Sequence, residues 1–191
     1  MVQITLAYFP ISSDVAFLSI KQEEVEGLAP YLGIFYIHVI SSIFVLLIGF
    51  FQVFPDWKFY SMKWHKRLGY VYVVILLFFS APSGLYIGYY ANGGLLAQIA
   101  FIMLGILWMF YTIRSIRRVL KGDKIGHQYD MWRSYALGMS AVTLRMWKVI
   151  FVYLFQPRPL EVYIVVAWLG WVLNLLIIEY LIYRKKRNEK V

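Results

Sequence analysis

The chain has 191 residues, of which 61% are hydrophobic, and it carries a formal net charge of +9. Its mean hydropathy of +0.65 excludes a soluble globular domain, and apolar stretches long enough to cross a bilayer recur along it. The sequence contains no cysteine, which excludes disulfides, thiolate metal sites and cysteine nucleophiles. The basic residues fall between the apolar stretches, so the charge is a signal of membrane topology, and we expect no nucleic-acid partner.

Residues 1–30 precede the apolar stretches. They begin with an apolar run that is too short to span a bilayer and continue with a polar, mostly acidic segment. We expect these residues to form an exposed extracytoplasmic segment, with a short helix lying at the membrane interface.

Five membrane spans are predicted after this segment, at about residues 31–54, 65–90, 95–112, 131–155 and 162–183. Pro82 lies inside the second span, where it removes a backbone hydrogen bond and should kink the helix. No internal repeat divides the chain, so residues 31–184 are predicted to form one domain, followed by a basic cytoplasmic tail at residues 185–191. The predicted fold is an all-α integral membrane bundle of about five transmembrane helices with a four-helix core.

Basic residues are concentrated on one side of these spans. Of the 19 lysines and arginines, 15 flank the side on which the first span ends, and the other four are Lys21, Arg145, Lys148 and Arg158. Because basic loops stay in the cytoplasm, the richer side is predicted to be cytoplasmic. The C-terminus then lies in the cytoplasm and the N-terminal segment outside. Two histidines, His65 and His127, lie where a basic segment on the predicted cytoplasmic side becomes a membrane helix. We call these helix ends the helix mouths.

Polar side chains at membrane depth are costly, so each is a candidate site. His38 and Gln52 are 14 residues apart and share one helix face, about 21 Å apart along the axis. His127 and Arg145 are 18 residues apart and align on one face, about 27 Å apart, if the fourth helix is continuous. These spacings predict two polar layers. The cytoplasmic layer contains Gln52, His65, His127 and Asp130, and the outer layer contains His38, Arg145 and either Tyr89 or Asn92.

Two histidines at neighbouring helix mouths are suited to hold a haem b between two helices. His65 and His127 are the predicted axial ligands of the iron, and Arg67 and Arg133 are the predicted partners of the haem propionates. A zinc site made of all three histidines is excluded, because His38 lies toward the opposite side of the membrane. An alternative stays open, since a histidine at a helix mouth is commonly an interfacial residue that hydrogen-bonds to a neighbour.

The outer polar residues predict a ligand pocket. An arginine within a span costs about 2.5–3.5 kcal/mol unless it is paired or reaches water, and Arg145 has no acidic residue at its depth. We therefore expect a water-accessible pocket for a quinone or another small anionic or carbonyl-bearing ligand. Its predicted residues are His38, Arg145, Gln52 and Asn92. In the alternative, Arg145 bonds helix-end carbonyls and His38 bonds a serine or another helix, with no pocket.

An ordered set of short motifs runs along the chain. The motifs are His38, Gly49, Gln52, His65-Lys66-Arg67-Leu68-Gly69-Tyr70, Ala91-Asn92-Gly93-Gly94, His127 with Met131, Arg133-Ser134-Tyr135-Ala136-Leu137, Thr143-Leu144-Arg145, and Ala167-Trp168-Leu169-Gly170-Trp171 with Asn174. In this order they resemble the bacterial membrane proteins grouped as domain of unknown function 2306. The resemblance runs from about residue 8 to residue 183. It implies a multi-pass helical protein of the bacterial inner membrane, with no established activity.

A shorter pattern is also informative. His65-x-x-Leu68-Gly69, followed by a span with Gly84-Leu85, resembles the haem-bearing helix of transmembrane b-type cytochromes. Those proteins hold two haems with four histidines, whereas this chain has three histidines. The resemblance therefore implies one bis-histidine haem at most.

Two functions follow from the sequence. In the first, the protein binds a single haem b or a similar redox cofactor and works with a quinone or a redox partner protein. In the second, it is a non-enzymatic membrane accessory subunit or small-ligand carrier, whose histidine, arginine and glutamine side chains form a structural network. Whether the protein is an enzyme stays open at this point.

Overall fold

Helices account for most of the chain that the structure describes. The computed structural model describes residues 13, 16–53, 61–156 and 159–189, and within these ranges it contains no β-strand. A 3₁₀ turn at Ala16–Ile20 precedes the short helix α1. The helices of these ranges are α1 (Gln22–Gly27), α2 (Tyr31–Val53), α3 (Met62–Tyr89), α4 (Gly94–Leu120), α5 (Lys124–Gly138), α6 (Ser140–Phe155) and α7 (Pro159–Asn188).

Five segments of the described chain are suited to cross a membrane. Helices α2, α3, α4 and α7 are each long and apolar enough, and α5 and α6 pass the same test together as one span bent by 42°. Large apolar side chains such as Phe44, Phe78 and Ile106 are exposed on the surface of the bundle, as expected of helices that face lipid. The all-α membrane bundle with about five spans is therefore confirmed.

The main core lies where these spans meet. Its buried members come from α2, α3, α4, α5 and α7, and they include Val45, Tyr72, Trp108, Leu137 and Trp171. These positions recur on one face of each helix, so each span buries one stripe and leaves the opposite stripe to lipid. The core thus draws on five helices, with α7 contributing Trp171.

The N-terminal segment is less exposed than its sequence predicts. Leu18 is fully buried and Lys21 is only 2% exposed. The Lys21 ammonium pairs with Glu24 and donates to the carbonyl of Tyr90 at the end of α3. Leu18 packs with Tyr31 and Phe35 at the start of α2. The predicted short helix is present as α1. The segment is not simply exposed, however, because Leu18 and Lys21 are buried and pack it against the bundle.

The irregularity expected at Pro82 takes the form of a π-turn. Residues Leu76–Ser80 immediately upstream are wound as a π-helix, in which the N–H of Ala81 donates to the carbonyl of Leu76. Proline supplies no N–H, and its ring clashes with the carbonyl one turn earlier, so the preceding turn widens. The π-turn places Ser80 and Ser83 on the inner side of α3, where both are buried.

The fourth span is broken, which corrects one prediction. His127 and Arg145 do not lie on one continuous helix, because α5 ends at Gly138 and α6 begins at Ser140. Asn174 of α7 donates to the carbonyl of Ala136 and to Thr143 Oγ1, both at 3.0 Å. Polar groups released by a break inside a membrane need such partners. The alignment of His127 with Arg145 on one face is therefore wrong.

The junction between the third and fourth spans is mostly helical. Helix α4 continues to Leu120 and α5 begins at Lys124, with a tight turn at Gly122, whose φ is +85°. Of the basic residues at this junction, Arg114, Arg117, Arg118 and Lys124 lie on helices, and Lys121 lies in the turn. At the other end, α7 continues to Asn188 and into the predicted basic tail. Three basic residues of the topology count, Lys58, Arg158 and Lys190, lie outside the described residues.

The predicted orientation gives a direct test. Five spans would place the two chain ends on opposite sides of the membrane, and the basic residues predict that the C-terminus lies in the cytoplasm. A reporter protein fused after Val191 is therefore expected to be active only in the cytoplasm. Reporter activity on the periplasmic side would reverse the orientation and move the histidine pair to the outer face.

Candidate functional site

The first candidate site is formed by the two helix mouths. His65 is the fourth residue of α3 and His127 is the fourth residue of α5. Each backbone N–H donates to the carbonyl of the helix N-cap, Ser61 or Asp123, at 3.0 Å. The cap side chains accept from the backbone as well, which is the usual reason for a helix to begin at such residues. The two histidines therefore occupy equivalent positions.

The two imidazoles are neighbours. Their ring centres are 6.4 Å apart, with an angle of 86° between the ring planes. Seven residues further along each helix, the hydroxyl of Tyr72 lies 3.1 Å from Ser134 Oγ. Because both pairs are separated by the same number of residues, α3 and α5 run side by side in the same direction. The prediction that both histidines lie at one depth agrees with this contact.

Ser115 of α4 orients the ring of His127. The Nδ1 atom of His127 lies 3.1 Å from the carbonyl of Ser115 and 2.7 Å from its Oγ. The same hydroxyl donates to the carbonyl of His127 at 3.2 Å. A proton on Nδ1 satisfies the Ser115 carbonyl and leaves a lone pair on Nε2, the arrangement that metal-binding histidines use.

Gln52 lies beside His65. Its Nε2 donates to the carbonyl of His65 at 3.2 Å, and its Oε1 is the nearest atom to the place where Gly69 would carry a Cβ, at 3.6 Å. The structure thus places Gln52 with the histidine pair and away from His38.

The separation of the imidazoles is compatible with a shared iron atom. Two imidazoles on opposite sides of one metal have ring centres roughly 6 Å apart, since each metal–nitrogen bond is about 2 Å long and each nitrogen lies about 1 Å from its ring centre. The observed 6.4 Å also suits an edge-to-face contact between two rings. Among the described residues, no group of three or more histidine, aspartate or glutamate side chains is placed to hold a metal ion. A haem needs only two protein ligands.

The two predicted propionate partners have other contacts. Arg67 is exposed, and its guanidinium lies 5.8 Å from the ring centre of Trp64. Arg133 is only 12% exposed; it pairs with Glu179 through two nitrogens and with Asp130 at 2.9 Å. The Glu179 carboxylate is therefore bound by Arg133.

Asp130 is the centre of a buried ion-pair cluster. The carboxylate is fully buried and accepts from Arg114 at 2.8 and 2.5 Å and from Arg133 at 2.9 Å. Arg118 lies 3.3 Å away. Through Glu179, the cluster joins α4, α5 and α7. We predicted Asp130 in the cytoplasmic layer. We did not predict its ion pairs with the arginines of α4, because those arginines were used only to predict the topology.

The second candidate site surrounds His38. Its Nδ1 lies 2.9 Å from the carbonyl of Ser80 in the π-turn and 3.4 Å from Ser83 Oγ. Ser80 Oγ donates to Ser41 Oγ at 2.9 Å. Gly84 is required next to this ring, because a Cβ there would lie 2.9 Å from His38 Cε1. The bond from His38 to a neighbouring helix matches one of the two alternatives left open by the sequence.

A cavity of about 190 Å³ lies next to His38. Its wall contains both irregular points of the bundle, with Ser80 and Ala81 from the π-turn of α3, and Gly138 and Ser140 from the break between α5 and α6. The other lining residues are His38, Ser42, Leu46, Gly84, Ile87, Gly88, Ala91, Phe101, Leu104, Gly105, Trp108, Ala141, Leu144 and Tyr163.

The predicted pocket residues are only partly brought together. His38 lines the cavity, while Arg145, Gln52 and Asn92 are not among the lining residues. Helix α6 presents Ser140, Ala141 and Leu144 to the cavity instead. Arg145 is half-buried and close enough for its charge to act on His38. Asn92 lies in the turn between α3 and α4.

Comparison with known proteins identifies the family. The family described as "Predicted membrane protein (DUF2306)" matches residues 35–182, well over half of the chain. The chain belongs to the DUF2306 family. No curated protein and no solved structure matches it. The weaker resemblance to b-type cytochromes therefore has no counterpart among the matches.

The DUF2306 match contains both candidate sites, from His38 to Glu179. Sequence reasoning missed three of their features. One is Ser115, which faces His127, and another is the arginine cluster around Asp130. The third is Trp108, which lines the cavity. Spacing offered a signal for the cluster, since Arg114 and Arg118 are one helical turn apart, as are Asp130 and Arg133.

Proposed function

We propose that this DUF2306 protein is an integral membrane protein that binds one haem b between His65 and His127. The observation that carries the proposal is the 6.4 Å separation of the two imidazoles, each on the fourth residue of its helix. Ser115 supports it by holding Nδ1 of His127. When bound, haem would supply one-electron redox chemistry. The same proposal puts the protein in the bacterial inner membrane with the histidine pair toward the cytoplasm, and gives it a quinone or a protein as its redox partner.

The residues around the pair have separate roles in this proposal. His65 and His127 hold the iron, and Ser115 keeps His127 in the tautomer that leaves Nε2 unprotonated. Gly69, one turn beyond His65, leaves space on this face of α3, since among the described residues a Cβ there would meet only Gln52 Oε1 within 4 Å. Arg67 is an exposed cation two residues from His65, and it can turn from Trp64 toward a propionate.

The test of this proposal is the absorption spectrum. Protein purified after expression with added haem precursor is expected to have the Soret band of a low-spin, bis-histidine haem. His65→Ala and His127→Ala are each expected to abolish it, because one axial ligand is lost. Ser115→Ala removes the hydroxyl 2.7 Å from His127 Nδ1 but keeps the backbone carbonyl at 3.1 Å, so it should weaken haem binding by about tenfold or less, the lower end of the effect of losing a group that orients a metal ligand.

His38→Ala is the matched control, since His38 belongs to the other site and should leave the spectrum unchanged. Folded protein that stays colourless after haem-replete expression would exclude the haem. A Soret band that survives in both His65→Ala and His127→Ala would place the haem elsewhere.

A second function is favoured by a different observation. The cavity beside His38 is large enough for a small ligand, and the imidazole pair is also at a distance typical of an edge-to-face contact. In this alternative the protein is a non-enzymatic accessory subunit or small-ligand carrier, and the polar side chains are structural. Colourless protein that binds a small apolar ligand would support it.

A further inference from the structure

Two residues that line the cavity beside His38 carry a buried polar atom without a hydrogen-bond partner. These atoms are Ser42 Oγ and Trp108 Nε1, and neither bonds another group within the part of the chain that the structure describes. The Tyr72 hydroxyl is the polar group that interacts with the Trp108 indole, but its geometry to Nε1 falls short of a full hydrogen bond. Buried polar groups are nearly always bonded, so two such groups on residues of one cavity wall call for a missing partner.

Both unpartnered groups can donate a hydrogen bond. The indole N–H of Trp108 donates only, and the Ser42 hydroxyl donates or accepts. His38 adds a complementary group to the same wall. A proton on its Nδ1 bonds the Ser80 carbonyl, which leaves Nε2 as an acceptor. The polar groups of the cavity therefore suit a ligand that carries carbonyl oxygens.

The rest of the wall restricts the ligand further. The residues that line the cavity carry no carboxylate, ammonium or guanidinium group, so a charged ligand would lose its hydration without gaining a charged partner. The volume is about 190 Å³, and an apolar cavity of about 150 Å³ already holds a benzene molecule. A six-membered ring with small substituents fits this space.

We propose that the cavity binds a flat, uncharged ring with carbonyl oxygens, such as the headgroup of a membrane quinone, and that Ser42 and Trp108 donate hydrogen bonds to it. This inference rests on the proposed function only in naming the ligand of its second site. It also replaces Arg145 by Ser42 and Trp108 as the groups that recognise the carbonyl oxygens.

The experiment measures equilibrium binding of radiolabelled menadione to the protein in lipid nanodiscs, with empty nanodiscs as the baseline. Saturable binding to one site is expected. Trp108→Phe and Ser42→Ala should each weaken it roughly two- to tenfold, the effect of one lost hydrogen bond. Ala141→Phe should abolish it, because the added ring fills the cavity.

Trp171→Phe is the matched control. Trp171 is also buried in the main core, and its Nε1 also has no partner among the described residues, but it does not line the cavity. Its substitution should leave menadione affinity unchanged. Equal losses in Trp108→Phe and Trp171→Phe, unchanged binding in Ala141→Phe, or only non-saturable partition into the bilayer would each overturn the inference.

The haem proposal is tested separately in the same samples. The double variant His65→Ala, His127→Ala is expected to lack haem and to bind menadione with the affinity of the unchanged protein. A haem spectrum without saturable menadione binding would overturn this inference alone. Menadione binding without a haem spectrum would overturn the haem proposal alone.

Discussion

Asp130→Asn is expected to lower the free energy of unfolding by about 3 kcal/mol, the lower end of the range for removing one partner of a buried ion pair. The Asp130 carboxylate is fully buried and is contacted by Arg114, Arg118 and Arg133. Asparagine keeps the shape but removes the charge, so the three guanidinium groups would face one another with one carboxylate fewer.

The loss of unfolding free energy is expected at the lower end of that range because the three arginines are not equally buried. Arg114 and Arg118 are each about one-third exposed and can turn toward water, whereas Arg133 is 12% exposed and keeps its bond to Glu179. The loss is therefore expected to loosen the contact of α4 with α5 more than that of α5 with α7.

Asp123→Asn provides the matched control for this prediction. Asp123 is 52% exposed, lies 3.9 Å from Arg118 and caps α5 by accepting from Gly126 N–H. Asparagine caps a helix equally well, and an exposed ion pair contributes about 1 kcal/mol or less. Thermal unfolding of both variants in detergent is the measurement. Equal midpoints for the two variants would mean that the buried cluster does not stabilise the bundle.

Gly49→Val is expected to destabilise the bundle by about 3 kcal/mol or more, the upper part of the range for an overpacked core. A Cβ at Gly49 would lie 2.5 and 2.7 Å from two ring carbons of Tyr135 and 3.0 Å from Tyr72. Both rings belong to other helices, and Tyr72 also bonds Ser134. Relief of the clash would push α2 away from α3 and α5.

The control for this substitution lies on the same helix. Gly33→Val adds the same side chain at an exposed position of α2, where no atom of the described residues lies within 4 Å of the added Cβ. We expect no loss of stability there, because a helical glycine is itself unfavourable by about 1 kcal/mol relative to alanine. Thermal unfolding again separates the two. Similar losses at both positions would show that helix propensity, and not the contact with Tyr135, sets the effect.

Helix boundaries illustrate how far local signals extend. Ser61 and Asp123 are typical N-cap residues, and the structure starts α3 and α5 immediately after them. The hydropathy pattern had instead placed the spans from 65 and 131, because the first turns of both helices are charged. Polar first turns belong to helices that extend beyond the bilayer, and hydropathy does not detect them.

The break between α5 and α6 could not be predicted from the sequence. The sequence predicts the fourth span as one helix over about residues 131–155, and Gly138 alone does not predict a break, since glycine is common in transmembrane helices. The break depends on Asn174 of α7, which bonds Ala136 and Thr143 on its two sides. A contact between residues so far apart in sequence cannot be inferred from either segment alone.

The sequence by itself determined the membrane class and the approximate number of spans, because bilayer thickness and helix rise set the length of an apolar span. Only the tertiary structure decided which polar groups meet. The contact of His65 with His127, the pairing of Arg133 with Glu179 and the placing of Trp108 rather than Arg145 on the cavity all depend on how each helix is rotated and tilted against its neighbours. The packing of the helices sets those rotations. A few residues determine how closely the helices pack, such as Gly49, where two rings approach the backbone.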